Sequence, residues 1–190
     1  MMRRAVVDTN VVVSALLNPF GTPASVVGVA NARFKLVWSA GIVTECLRVL
    51  TYEKIARRLR AIGKEEAARA TVARLAAGAE LVAPERLPRI RVVKDDPSDD
   101  LFLATAIAGG ARVLVSGDRR HLLPLKEVMG VRIVDAATFA AELGLPGARR
   151  RKGAPDSVHE PAAGYVEEDA LMELAREAQR WVRKRAGRLY

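Results

Sequence analysis

The chain has one cysteine, Cys46, and two histidines among its 190 residues. One cysteine closes no intrachain disulfide, and so few Cys and His cannot furnish a structural zinc cluster. The fold must be held by its core and suits a reducing compartment. Long apolar runs are missing too: none reaches the roughly 18 residues that a membrane span needs. The first strand begins within a few residues of the N-terminus, which leaves no room for a signal peptide. The expectation is a cytoplasmic protein with no membrane contact. Aromatics are scarce, at two Trp, three Tyr and four Phe, so Lys and Arg rather than base stacking must dominate any contact with nucleic acid. Acids are outnumbered, 22 against 31 basic residues for a net charge of +9, and that balance favours a polyanionic partner. What the chain has in quantity is apolar residues, 50% of the total, enough for a real core.

The apolar runs alternate in period. Ala5-Val6-Val7 reads as a central parallel strand ending at Asp8, with Thr9 and Asn10 as turn and cap and a buried helix from Val11 to Leu17. Thr22 caps and Pro23 opens a helix expected to run to about Ala32; Lys35 to Trp38 is a second strand. Ser39 caps a helix carrying Ile42, Val43, Cys46, Leu47 and Leu50 inward, with Glu45 among them. Two amphipathic helices hinged at Gly63 follow, the first studded with Arg57, Arg58 and Arg60, a solvated face or the lining of a nucleic-acid groove. Leu81-Val82 and Ile90 to Val93 are short strand candidates. Ser98 stands at a cap position, Asp99 and Asp100 in a first turn, and Gly109-Gly110 stop that helix before a strand from Arg112 to Ser116. Val131 to Val134 and Ala136 to Leu143 are the last strand and helix of the alternation. Such a pattern predicts an α/β fold, a three-layer sandwich around a central parallel sheet.

Four acids, Asp8, Glu45, Asp99 and Asp118, are each placed where they can reach the C-terminal edge of that sheet. Singly, each reads as a turn, cap or helix residue. Together they need a shared reason, because two carboxylates about 4 Å apart repel by roughly 4 kcal/mol at an effective dielectric of 20. Several in one pocket either take up protons or hold a cation. Oxygen ligands select a hard divalent ion, Mg²⁺ or Mn²⁺, and a bound water could serve as the nucleophile of phosphodiester hydrolysis. Replacing Asp8 or Asp99 by Asn is accordingly expected to leave the fold intact or steadier in the absence of metal. His121, in an Arg-Arg-His turn, reads as a surface or phosphate-contacting residue, and Cys46 as core.

The runs Val6-Val7-Asp8-Thr9-Asn10-Val11, Ser39 with Glu45, Asp96-Pro97-Ser98-Asp99-Asp100-Leu101-Phe102-Leu103, and Val115-Ser116-Gly117-Asp118 with Leu122-Leu123 resemble the PIN-domain family. In particular they are similar to the bacterial PIN toxins of toxin-antitoxin systems, relatives of VapC. The resemblance covers Arg3 to Leu143. It implies a Rossmann-like sheet and a Mg²⁺- or Mn²⁺-dependent ribonuclease site that cuts RNA, with a cognate antitoxin protein as partner. Asp8, Glu45, Asp99 and Asp118 match the family's acids as catalytic and metal-binding residues. Thr9, Asn10, Ser116 and Asp100 are read as groups that orient carboxylates or water.

Two other readings remain: a PIN-type module that binds nucleic acid or acts as a scaffold without cutting, and a small phosphatase. The phosphatase reading wants a second acid two residues after the first, where Asn10 stands. Domain boundaries are expected at 1–143 for the PIN-like unit, 144–165 for a linker bearing Arg149 to Lys152, and 166–190 for a C-terminal helical extension. In the extension Leu171, Leu174, Ala178, Trp181 and Val182 recur at helical spacing, a stripe expected to dock on the domain or across a homodimer.

Overall fold

A computed structural model of the chain describes residues 2–93 and 99–145. The valine run is the middle of the sheet. As β1 (Arg4–Val7) it pairs in parallel with β2 (Lys35–Ser39) on one side and β4 (Val113–Val115) on the other, a central strand of a parallel sheet whose two faces are covered by helices, so alternation is unnecessary. The strand order is β3-β2-β1-β4-β6-β5, with β3 (Glu80–Val82), β5 (Glu127–Val128) and β6 (Val131–Val134); only the β5–β6 pair is antiparallel.

The chain therefore builds outward from β1 to β3, then returns to lay β4 on the other side of β1. That reversal makes the β1/β4 boundary a topological switch point, where the loops after adjacent strands diverge and leave a crevice. Helices α1 (Thr9–Leu17), α2 (Thr22–Gly28), α3 (Ala40–Leu50), α4 (Glu53–Ala61) and α5 (Glu65–Gly78) fill the outward crossovers and pack on one another, and α7 (Ala136–Glu142) joins them against α2. Helix α6 (Asp100–Ala108) alone makes the return crossing, over β2, β1, β4 and β6. Right-handed crossovers in opposite directions put it on the opposite face, which gives three layers. The largest fully buried side chains are Trp38, Phe34, Phe102 and Phe139; Phe34 and Phe139 meet edge to face with ring centres 5.1 Å apart. No single helix among the described residues is long and apolar enough to cross a membrane.

Gly109 and Gly110 stop α6 for two different reasons. A Cβ on Gly109 would collide with the Val37 side chain, and Gly110 has φ +64°, the left-handed region.

Several local expectations are corrected. Helix α1 begins at Thr9, because Asp8 itself is the cap. Helix α2 starts after Gly21 and ends at Gly28 rather than Ala32, since Asn31 adopts φ 65° and its side-chain oxygen accepts from the amide of Leu36. Leu47 is 42% exposed, being five residues and so about 140° around the helix from Ile42; Val49 takes the buried position. Ser39 stands at the start of α3 without a side-chain cap bond, its hydroxyl accepting instead from Thr105 at 3.1 Å. Ile90 to Val93 is no strand: segment 83–93 runs beside α6, with Arg86 donating to Ala108 O and the amides of Val92 and Val93 to Asp100. The Ser98 cap and everything expected beyond residue 145 lie outside the described residues.

Candidate functional site

Asp8 ends β1 at the switch point and is fully buried. Its Oδ1 accepts from the Asn10 amide at 3.3 Å, as a helix cap does, and its Oδ2 accepts from Asn10 Nδ2 and from Ser116 Oγ, both at 2.7 Å. These side chains also reach the loop that follows β4. Asn10 Oδ1 accepts from the Gly117 amide at 3.0 Å, and Ser116 Oγ accepts from the Asp118 amide at 3.0 Å. Asn10 and Ser116 thus lace the ends of β1 and β4 together around one carboxylate. The indole of Trp38 adds a third strand by donating to Val7 O at 3.1 Å.

Asp118 opens a tight turn. Its Oδ1 accepts from the amides of Arg120 at 2.8 Å and His121 at 3.0 Å, and the Leu123 amide bonds Asp118 O at 2.8 Å. Leu122, wholly buried, anchors the turn in the core. Three residues around such a turn return to the same side, so the His121 ring comes back onto Asp118, Nδ1 to Oδ2 at 3.0 Å. Burial works to raise the Asp118 carboxyl pKa, but the two amides and the imidazole outweigh it and hold the group below the usual carboxylate value. Asp99, just before α6 and 2% exposed, completes the cluster. Among the described residues, one oxygen each from Asp99 and Asp118 and a ring nitrogen of His121 all lie within 4.8 Å of one another.

Asp8 and Glu45 stand outside that group. Glu45 is buried on α3 next to Cys46, whose thiol pKa is pushed up chiefly by burial; the Thr9 hydroxyl at 3.4 Å opposes the shift, and the Glu45 and Asp8 carboxylates add to it. Thr9 therefore turns to Cys46 and not to a carboxylate, tying α1 to the helix that carries Glu45. Asp100 Oδ1 accepts from the amides of Val92 and Val93, while its Oδ2 is buried with no hydrogen-bond partner among the described residues. Arg57 lies on α4 opposite its buried residues Ile55, Ala56 and Leu59, half-buried Arg58 and exposed Arg60 flank that face, and Arg60 already faces Glu53 at 3.6 Å and Glu65 at 4.0 Å.

Sequence reasoning discounted His121. The signal that would have found it is the Gly-Asp turn, in which an aspartate accepting the amide at i+3 brings that residue's side chain alongside its own. Arg119 and Arg120, exposed beside Asp118, were likewise passed over.

The donor chemistry fits a divalent cation. Two buried carboxylates with oxygens within 4.8 Å of one another carry charge that needs compensation, and the neighbouring acid, Asp100, keeps one oxygen buried and unmatched among the described residues. A doubly wound α/β fold with acids gathered at its switch point defines the class. Within that class the chain belongs to the PIN domain family, whose model matches residues 4–120. PIN domains are typically nucleases that use divalent metal ions, and membership places this chain among hydrolases of that general kind, acting on nucleic acid. No curated protein and no solved structure matches the chain.

Proposed function

We propose that the chain is a Mg²⁺- or Mn²⁺-dependent endoribonuclease whose catalytic acids are Asp8, Glu45, Asp99 and Asp118, acting in the cytoplasm as the toxin of a toxin-antitoxin pair. The observation that carries this reading is the convergence of Asp99 and Asp118 at the switch point of a PIN fold. Support comes from the net charge of +9, which suits a polyanionic substrate.

Asp99 and Asp118 would hold the ion, Asp118 through Oδ2, since its Oδ1 accepts from two amides. When bound, the ion activates a water for attack on phosphorus and offsets the charge that develops on the phosphate. Asp8, fixed by Asn10 and Ser116, keeps the two strand ends in register so that the carboxylates meet. Glu45 adds a buried carboxylate from α3. Arg119 and Arg120 receive the flanking phosphates at the rim; Arg57 and Arg58 extend the same role along α4. The unit 1–143 carries the chemistry.

The test is cleavage of a labelled single-stranded RNA by the purified chain. Cleavage should require Mg²⁺ or Mn²⁺, stop with EDTA, and fall to background in Asp99→Asn and Asp118→Asn. Wild-type rates in either variant would refute the assignment, and RNA binding without cutting under any metal would leave a non-catalytic module.

A further inference from the structure

We infer that His121 is itself a ligand of the metal site and makes that site selective for Mn²⁺ and related transition ions over Mg²⁺; the inference rests on the metal-centre reading above. Four observations converge on it. The turn that begins at Asp118 fixes where the ring goes, because both the Arg120 and the His121 amides are tied to Asp118 Oδ1. Leu122, next in the chain, is fully buried and prevents the turn from swinging outward. The ring is largely withdrawn from solvent, at 20% side-chain exposure, although Arg119 and Arg120 on the same turn are exposed. Finally, its nitrogen lies within 4.8 Å of both the Asp99 and the Asp118 oxygen.

The spacing suits coordination. Ligand atoms at right angles around an ion, each about 2.1 Å from it, stand about 3.0 Å apart, and opposite ones about 4.2 Å apart. His121 Nδ1 and Asp118 Oδ2 are 3.0 Å apart, the separation of two adjacent ligands. The neutral tautomer that carries its proton on Nε2 presents the Nδ1 lone pair to an ion without moving the ring.

A nitrogen donor changes the selectivity of the site. Carboxylates and water suit Mg²⁺ and Mn²⁺ alike, whereas imidazole favours transition ions, and affinities for a mixed nitrogen and oxygen site rise from Mn²⁺ across the first row. An imidazole that only steered Asp118 would show no such preference, and its removal would loosen both ions alike.

The experiment uses the full chain loaded with Mn²⁺ alone and read by spin-echo EPR, in which a directly bound ring nitrogen modulates the echo. Nitrogen modulation is expected in the wild type and in His159→Gln, the other histidine, and its absence is expected in His121→Gln and His121→Ala. Competition calorimetry on the same proteins should show Mn²⁺ affinity falling by about 10- to 100-fold in both His121 variants, with Mg²⁺ affinity changed by less than about threefold. Unchanged metal-free melting curves establish that the variants fold. Mn²⁺ bound without nitrogen modulation, or equal losses for both ions, overturns the role of His121 and leaves the nuclease reading standing. A wild type that binds neither ion overturns the metal centre itself and this inference with it.

Discussion

Asp8 provides the sharpest test of how the site is held together, because two physical effects predict opposite outcomes. Counting only like charges, removing one carboxylate from an acid-lined crevice should stabilise the metal-free protein; a second unit charge about 8 Å away at an effective dielectric of 20 contributes about 2 kcal/mol. The hydrogen bonds say otherwise. Asp8→Ala removes the cap of α1, about 1 kcal/mol. It also strands two buried donors, Asn10 Nδ2 and Ser116 Oγ, each now 2.7 Å from Asp8 Oδ2, at about 1–3 kcal/mol apiece. The losses exceed the relief, and the expected net destabilisation is about 3 kcal/mol, with Asp8→Asn costing about half as much because its side-chain oxygen still caps the helix. Urea unfolding in EDTA, followed by circular dichroism, should show the midpoint of Asp8→Ala falling by about 1–2 M. In a double-mutant cycle with Ser116→Ala the two losses should overlap rather than add. An unchanged or higher midpoint for Asp8→Ala would show that repulsion dominates and that the Asn10 and Ser116 contacts contribute little.

Asp99→Asn should behave in the opposite way, since Asp99 sits within 4.8 Å of Asp118 in the acid cluster: its metal-free Tm is expected to rise by about 2–6 °C, and a fall in Tm would refute the repulsion argument for this pair. Gly109→Ala forces a Cβ into Val37 and should cost about 2 kcal/mol or more, against about 1 kcal/mol for Gly110→Ala, where only the left-handed backbone is strained; equal melting points for the two variants would contradict the packing. Cys46 is buried, and its thiol is held neutral well above the usual range, so alkylation by iodoacetamide should be slow in native protein from about pH 7 to pH 9 and fast only in denaturant. Rapid native labelling would mean that α3 opens.

Much of this architecture is legible in the amino-acid order because its causes are local. A run such as Ala5-Val6-Val7, short, β-branched and closed by Asp8, suits a strand covered on both faces, the paired glycines at 109 and 110 end a helix by conformation and contact, and the alternation of periods points to a parallel α/β fold. The places of three acids were legible too, since Asp8 and Asp118 follow strands and Asp99 opens a helix, while Glu45 falls inside α3. What no local pattern states is which of them meet. Ser116 and Asp8 are 108 residues apart and touch only because the return crossing of α6 lays β4 beside β1. That crossing gathers Asp99, Asp118 and His121 and leaves Asp8 engaged with Asn10 and Ser116. Ile90 to Val93, apolar enough for a strand, instead runs beside α6, where Asp100 Oδ1 accepts from the amides of Val92 and Val93. Propensity acts over a few residues, whereas the grouping of charge in the crevice depends on the order of strands in the sheet, and that order is decided by tertiary packing.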